Sequence, residues 1–121
     1  VQYKLYLNVS GIPFFVVCSS TIATTISGSS AISTGTWTHI AAVRTSTNLT
    51  LYVNGTSVGT TSYSSAISLN STTSFLFRVG ANVFSLGYTW FNGYIDDLRV
   101  TRGIARYTGN FTPPTAAFPN Y

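Results

Sequence analysis

Apolar and polar residues alternate strictly over Tyr3–Val9, with Leu5, Leu7 and Val9 in one phase. A period of two is that of a strand with one face buried, and Gly11-Ile12-Pro13 ends it. Phe14–Cys18 is a continuous apolar run short enough for a strand, and Thr21–Ser27 reads as a third, threonine-rich one. After a small-residue loop at Gly28–Gly35, Trp37–Arg44 is apolar in both phases and is expected to be a central strand. Leu49, Leu51 and Val53 alternate with Thr50 and Tyr52 and run directly into Asn54-Gly55. That dipeptide favours a type I′ turn, whose two central residues need positive φ, so Leu49–Val53 and Thr56–Thr61 are predicted to form a hairpin.

Ser62–Thr73 reads as a hydroxyl-rich loop, Ser74–Val79 as a strand stopped by Gly80, and Ala81–Thr89 as a loop. Trp90–Thr101 is predicted to be one long strand, with Gly93 at a bulge or close approach. Gly103–Tyr107 is expected to make one helical turn, and the prolines at 113, 114 and 119 an extended tail. Strands joined by short turns, with no long helical period, predict an all-β, antiparallel sandwich or barrel.

Composition sharpens this picture. Sixteen serines and nineteen threonines replace most charge, and only 7% of residues are charged, against about 25% in ordinary domains. Glutamate and methionine are absent and lysine occurs once, so helix formers for a solvent face are scarce. With 121 residues, 1–121 is one domain with one core. The chain opens without methionine, which suggests a start inside a longer product.

The net charge of +4 comes from six basic residues, of which only Arg99, Arg102 and Arg106 cluster. A nucleic-acid partner would require a denser stripe, so none is expected. No apolar stretch approaches the roughly 20 residues of a membrane span, and no membrane insertion is expected. Cys18 is the single cysteine and reads as a buried small hydrophobe. Asn-x-Ser/Thr triplets at Asn8, Asn48, Asn54, Asn70 and Asn110 follow from the hydroxyl-rich composition, and Asn54 is explained by its turn.

Three segments in order, Trp37–Arg44, Leu51–Gly55 and Phe91–Val100, resemble the concanavalin A-like lectin/glucanase superfamily in its laminin-G-like branch. The stretch Arg102–Pro114 resembles the version common in phage structural proteins. The resemblance implies a jelly roll of two antiparallel sheets that binds sugars or proteins or serves as a spacer in extracellular or viral assemblies. Family strands of the type Phe-Asp-Gly-x-Gly-Asp-Tyr, which normally open the domain and pair with the Trp90–Thr101 segment, have no counterpart here. The expectation is an incomplete sandwich, or an exposed edge filled by another segment or subunit.

Some relatives are glycosidases, and retaining hydrolysis needs two carboxylates about 5.5 Å apart. Asp96 and Asp97 are the only acidic residues, and on a strand neighbours point to opposite faces, so no enzyme activity is expected. Asp97 and Arg99 share a phase and read as a structural ion pair or a loop-pinning carboxylate. Relatives often bind calcium, which needs six to eight oxygen ligands; this chain offers one carboxylate per face, helped by Asn82, Asn92 or carbonyls. Thus no cofactor is expected, calcium being the one to test. His39, the only histidine, has no partner at metal-ligand spacing and reads as a packed, hydrogen-bonded residue.

Sugars stack on aromatic rings and bond to amides and hydroxyls. Trp90, Tyr88 and Asn82, with Tyr63 and Arg78 near, form the candidate glycan patch; Trp90 reads equally well as a packing residue. Gly93, Asp97, Arg99, Asn54 and Gly55 are the candidate structural residues. The functional expectation is a non-catalytic virion or appendage domain (decoration, fibre or tail component) in an oligomeric assembly. Its partners would be neighbouring subunits and a host surface glycan, and its location virion or extracellular. The alternative is a secreted carbohydrate-binding module or lectin.

Overall fold

The computed structural model describes residues 2–18, 23–65, 77–84 and 87–118. Its elements are all strands: β1 (Gln2–Leu7), β2 (Pro13–Cys18), β3 (Ala23–Ser27), β4 (Ile40–Arg44), β5 (Asn48–Val53), β6 (Thr56–Ser62), β7 (Ala81–Phe84) and β8 (Gly87–Trp90). They form an antiparallel sheet β1-β2-β3, a second antiparallel sheet β4-β5-β6, and the hairpin β7-β8.

Side-chain chemistry sets each turn. Between β1 and β2 the Asn8 carboxamide oxygen accepts the N–H groups of Ser10 and Ile12, each at 2.9 Å, and Gly11 supplies a φ of 76°. Asn54 and Gly55, at φ of 48° and 78°, make the two-residue turn that joins β5 to β6 with Val53 opposite Thr56. Both central residues are left-handed, as the Asn-Gly pair predicts.

The two sheets pack face to face. Phe15, Val17 and Ile26 from the first sheet meet Leu49 and Leu51 from the second, and Tyr63 closes the cluster. The period-two pattern of β2 and β5 puts these side chains on inward phases, and Ile40, Ala42 and Val58 pack around them. Where β6 crosses β3, a Cβ on Gly59 would stand 2.8 Å from the Ser27 carbonyl oxygen, so the sheets approach closely there only because residue 59 has no side chain. The sandwich is partial: Tyr3 and Leu5, on the inward phase of the edge strand β1, stay largely exposed.

The other face of the second sheet is also covered. Tyr52 is 3% exposed, beneath the rings of Phe111 and Tyr107, whose centroids lie 5.4 and 6.5 Å away. Those two rings stack at 3.6 Å. The Phe111 N–H donates to the Gly55 carbonyl, and the Ser57 N–H donates to the Asn110 carboxamide oxygen, both at 2.9 Å. The segment around 107–111 is thus a strap laid across the β5–β6 turn.

Several expectations change. The second sheet is ordered β4-β5-β6, so β4 is an edge strand and β5 the central one. β4 starts at Ile40 and residues 37–39 lie outside it; Ile40 and Ala42 pack on the core, while Ala41 and Val43 share the outward phase with Tyr52 across the ladder. The expected loop over 81–89 is the β7-β8 hairpin, while the expected strand Trp90–Thr101 leaves its ladder after Trp90. The last rung is Phe91 N–H to Gly80 carbonyl, at 2.8 Å. Beyond it Asp97 turns left-handed at φ 48°, which interrupts the extended run, and no described strand lies alongside 91–100. Gly103–Tyr107 makes no helical turn, Gly103 instead taking φ 88°. Residues 77–79 are not in a strand; 74–76, like 21 and 22, fall outside the described residues.

Candidate functional site

The β7-β8 register pairs Ala81 with Trp90, Asn82 with Thr89 and Val83 with Tyr88. Positions 88 and 90 therefore share one phase of the hairpin, and position 82 occupies the other. Trp90 is 73% exposed, and Tyr94, just beyond the ladder, is 88% exposed. Arg78 is exposed in the segment that enters β7. Four of the five residues of the candidate patch thus sit on this hairpin or at its base. Tyr63 does not join them: it is 8% exposed within the core, its hydroxyl is buried with no partner among the described residues, and the Arg44 guanidinium lies over its ring at 5.7 Å. Its backbone N–H, bonded to the Thr47 carbonyl at 2.7 Å, turns the residue inward as β6 ends.

Beyond the hairpin the chain is pinned rather than paired. A Cβ on Gly93 would meet the outer edge of the Phe91 ring at 2.9 Å, and no described ladder runs here for a bulge to interrupt. Asp96 accepts the Asp97 N–H at 2.8 Å, and Asp97 accepts the Phe118 N–H at 3.3 Å. Arg99 lies over the Phe118 ring at 3.6 Å. The Asp97 carboxylate thus faces the backbone of residue 118, and the Arg99 cation meets a ring face rather than that carboxylate. The two aspartates are neighbours in a loop, not on a strand, and each has an oxygen taken up by backbone. Among the described residues no three His, Cys, Asp or Glu side chains gather into a metal-binding group.

A second surface lies on the outer face of the first sheet. The register lines up Tyr6, Phe14 and Ser27 in one row and Lys4, Val16 and Thr25 in the next. The Tyr6 and Phe14 rings stack at 5.4 Å and 22°, and the Lys4 ammonium stands 5.5 Å from the Tyr6 centroid. Tyr3, Lys4, Tyr6, Val16 and Cys18 line a shallow depression of about 270 Å³. Cys18 is half-buried here and not in the core, because its phase of β2 faces outward. This face went unread in the sequence. The signal was present: β2 is apolar in both phases, and the core uses only one.

Under the strap, His39 meets Phe111 at 5.5 Å and Tyr107 at 6.3 Å, both edge to face. Its backbone exchanges hydrogen bonds with Asn54, whose N–H donates to the His39 carbonyl at 2.8 Å and whose carboxamide oxygen accepts the His39 N–H at 2.9 Å. Asn54 thereby adds a rung to the β4-β5 ladder while forming its turn. Burial holds the His39 pKa below its ordinary 6.5. The Nδ1 atom is buried with no hydrogen-bond partner among the described residues, which fits a neutral ring packed for shape rather than a base or ligand.

The family model that matches, over residues 2–104, is a laminin G type described as the Concanavalin A-like lectin/glucanases superfamily. A crystal structure of an S-layer domain-containing protein (residues 221–444) from Clostridium thermocellum is similar at 22% identity and a TM-score of 0.40, with 91% of this chain and 52% of that one covered. The chain spans about half the length of that structure. No curated protein matches.

Proposed function

The chain belongs to the concanavalin A-like lectin/glucanase superfamily, and from that premise we propose that it is a non-catalytic adhesion module that displays a glycan-contacting surface on an extracellular assembly. The observation that carries this reading is the exposed Trp90 ring on the β7-β8 hairpin, with position 88 in the same phase. Aromatic faces of this kind stack on the apolar side of a pyranose. Hydrolysis would require two carboxylates across one bond, and the only two available have oxygens committed to the backbone of their own loop and of residue 118.

One shallow aromatic contact gives weak affinity, so the module acts through many copies, in which each bound arm raises the effective concentration of the next. A virion or appendage is the assembly that the 102–114 resemblance favours. Neighbouring subunits would then bury more than about 1,000 Å² per contact.

The test is a glycan array read with the protein displayed multivalently. Trp90→Ala combined with Tyr88→Ala abolishes binding while the melting temperature stays close to wild type. Unchanged array binding by that double variant removes the hairpin from the reading.

A further inference from the structure

We propose that Asn92 is a site of spontaneous covalent modification, converting to aspartate and isoaspartate, and that the fold withholds the same reaction from Asn54. The inference goes beyond the adhesive reading and does not depend on it. The chain contains two Asn-Gly pairs, Asn54-Gly55 and Asn92-Gly93. In such a pair the glycine amide nitrogen reaches the asparagine side chain readily, because no Cβ on the glycine obstructs the approach or restricts the backbone. The nitrogen attacks Cγ and forms a new C–N bond. The side-chain amide leaves as ammonia, taking up the proton that the backbone nitrogen gives up. Water then opens the cyclic imide. Opening at Cγ yields aspartate; opening at the main-chain carbonyl yields isoaspartate, whose backbone runs through the side chain. Water is the sole co-reactant, and no electron is gained or lost.

The two pairs stand in opposite surroundings. Asn54 is held at φ 48°, with its main-chain N–H and its carboxamide oxygen both bonded to His39, at 2.8 and 2.9 Å. Gly55, which carries the attacking nitrogen, is buried, and its carbonyl accepts the Phe111 N–H. Cyclisation there must loosen the grip on His39 and lift the strap. Asn92 and Gly93 are both exposed and follow the last rung of the β7-β8 hairpin, and Asn92 makes no hydrogen bond among the described residues. An intramolecular attack depends on how freely the reacting atoms come together. The two hydrogen bonds that restrain Asn54 make Asn92 the faster site by on the order of ten- to a hundred-fold. Conversion sets a third side-chain carboxylate into a chain that has two, between the exposed Trp90 and Tyr94 rings. Fresh and aged copies therefore differ in charge at that surface.

The experiment incubates the folded whole chain in warm, mildly alkaline buffer and follows each pair by peptide mass spectrometry. Cleavage after arginine separates them: Arg44 and Arg78 bound one peptide, Arg78 and Arg99 the other. Fragment ions place the amide-to-acid mass gain on residue 54 or residue 92, and a methyltransferase specific for isoaspartate labels the rearranged product. Asn92 converts first, by the factor above, with release of an equal amount of ammonia. In concentrated urea the two pairs react at similar rates. Asn92→Gln abolishes the early ammonia and leaves the melting temperature unchanged. Phe111→Ala, which strips a strap ring from the β5–β6 turn, speeds Asn54 and leaves Asn92 as it was. The proposal is overturned if Asn54 converts as fast as Asn92 in the folded chain, or if Asn92 stays intact there while the same pair reacts in urea. A gap that survives in urea also overturns it, because the difference would then lie in the neighbouring residues and not in the fold. None of these outcomes bears on array binding, so the Trp90 reading stands or falls apart from this one.

Discussion

Gly55 meets two constraints at one atom. Its φ of 78° is the left-handed value that the turn requires, and any Cβ there would run into the Phe111 carbonyl that crosses above it. The first constraint was legible in Asn-Gly; the second was not, because it comes from a segment far along the chain. Gly55→Ala should therefore cost more than the roughly 1–3 kcal/mol of left-handed strain, since the strap must also move. Denaturant unfolding should show the loss, and limited proteolysis should show earlier cutting between 103 and 118. Stability and cleavage like those of wild type would mean that the strap does not rest on the turn. Similarly, Asp97 and Arg99 were expected to be structural residues. Their actual partners, the Phe118 N–H and ring, were not, since a shared phase on an assumed strand pointed to each other instead.

At the level of strands, hydrophobic period located β2, β3 and β5 well because each has a phase that the core buries, and it located β1 by its alternation although Tyr3 and Leu5 on its inward phase stay exposed. It misjudged 91–100, where Tyr94-Ile95 and Asp96-Asp97 break the alternation, because a strand also needs a neighbour and sequence pattern says nothing of one. It missed β7-β8 because Ser85-Leu86, between the two strands, carries no turn-forming signature. β5 is the element on which the rest depends: it is central in its sheet, and Leu49 and Leu51 are fully buried against the opposite one. Leu51→Ala is expected to cost about 2–5 kcal/mol, as large-to-small changes in packed cores do. Val9→Ala, at a fully exposed turn position, should stay within about 0.5 kcal/mol, and urea midpoints of the two variants give the comparison.

Across the whole molecule, stability should depend on pH through His39. Folding lowers its pKa from 6.5 by burying the ring, so the unfolded chain binds the extra proton more readily. The stabilisation from the neutral ring is complete above 6.5 and is lost as pH falls through that value toward the lower folded-state pKa. The melting temperature should drop between about pH 7.5 and about pH 5, and His39→Phe should flatten that part of the curve. A wild-type profile that is level there, or an equally steep one in the variant, would show that the partly buried imidazole is not the cause. Fold class was legible from composition and period together. The surfaces were only half legible: Trp90 stood out as a rare residue beside an apparent loop, whereas the outer face of the first sheet becomes visible only once the core has claimed its own phase.

The strap also orders events in time. Its bond from Ser57 to Asn110 closes across 53 positions, whereas the β5–β6 turn closes between adjacent neighbours. Contacts so distant in sequence form slowly, and a ribosome releases the chain N-terminus first. Each nascent copy is therefore expected to pass through an interval in which both sheets exist while Tyr52 and His39 are still wet. Fastening that later segment over them should follow the pairing of the sheets, and a chain cut before residue 107 should leave that aromatic floor uncovered.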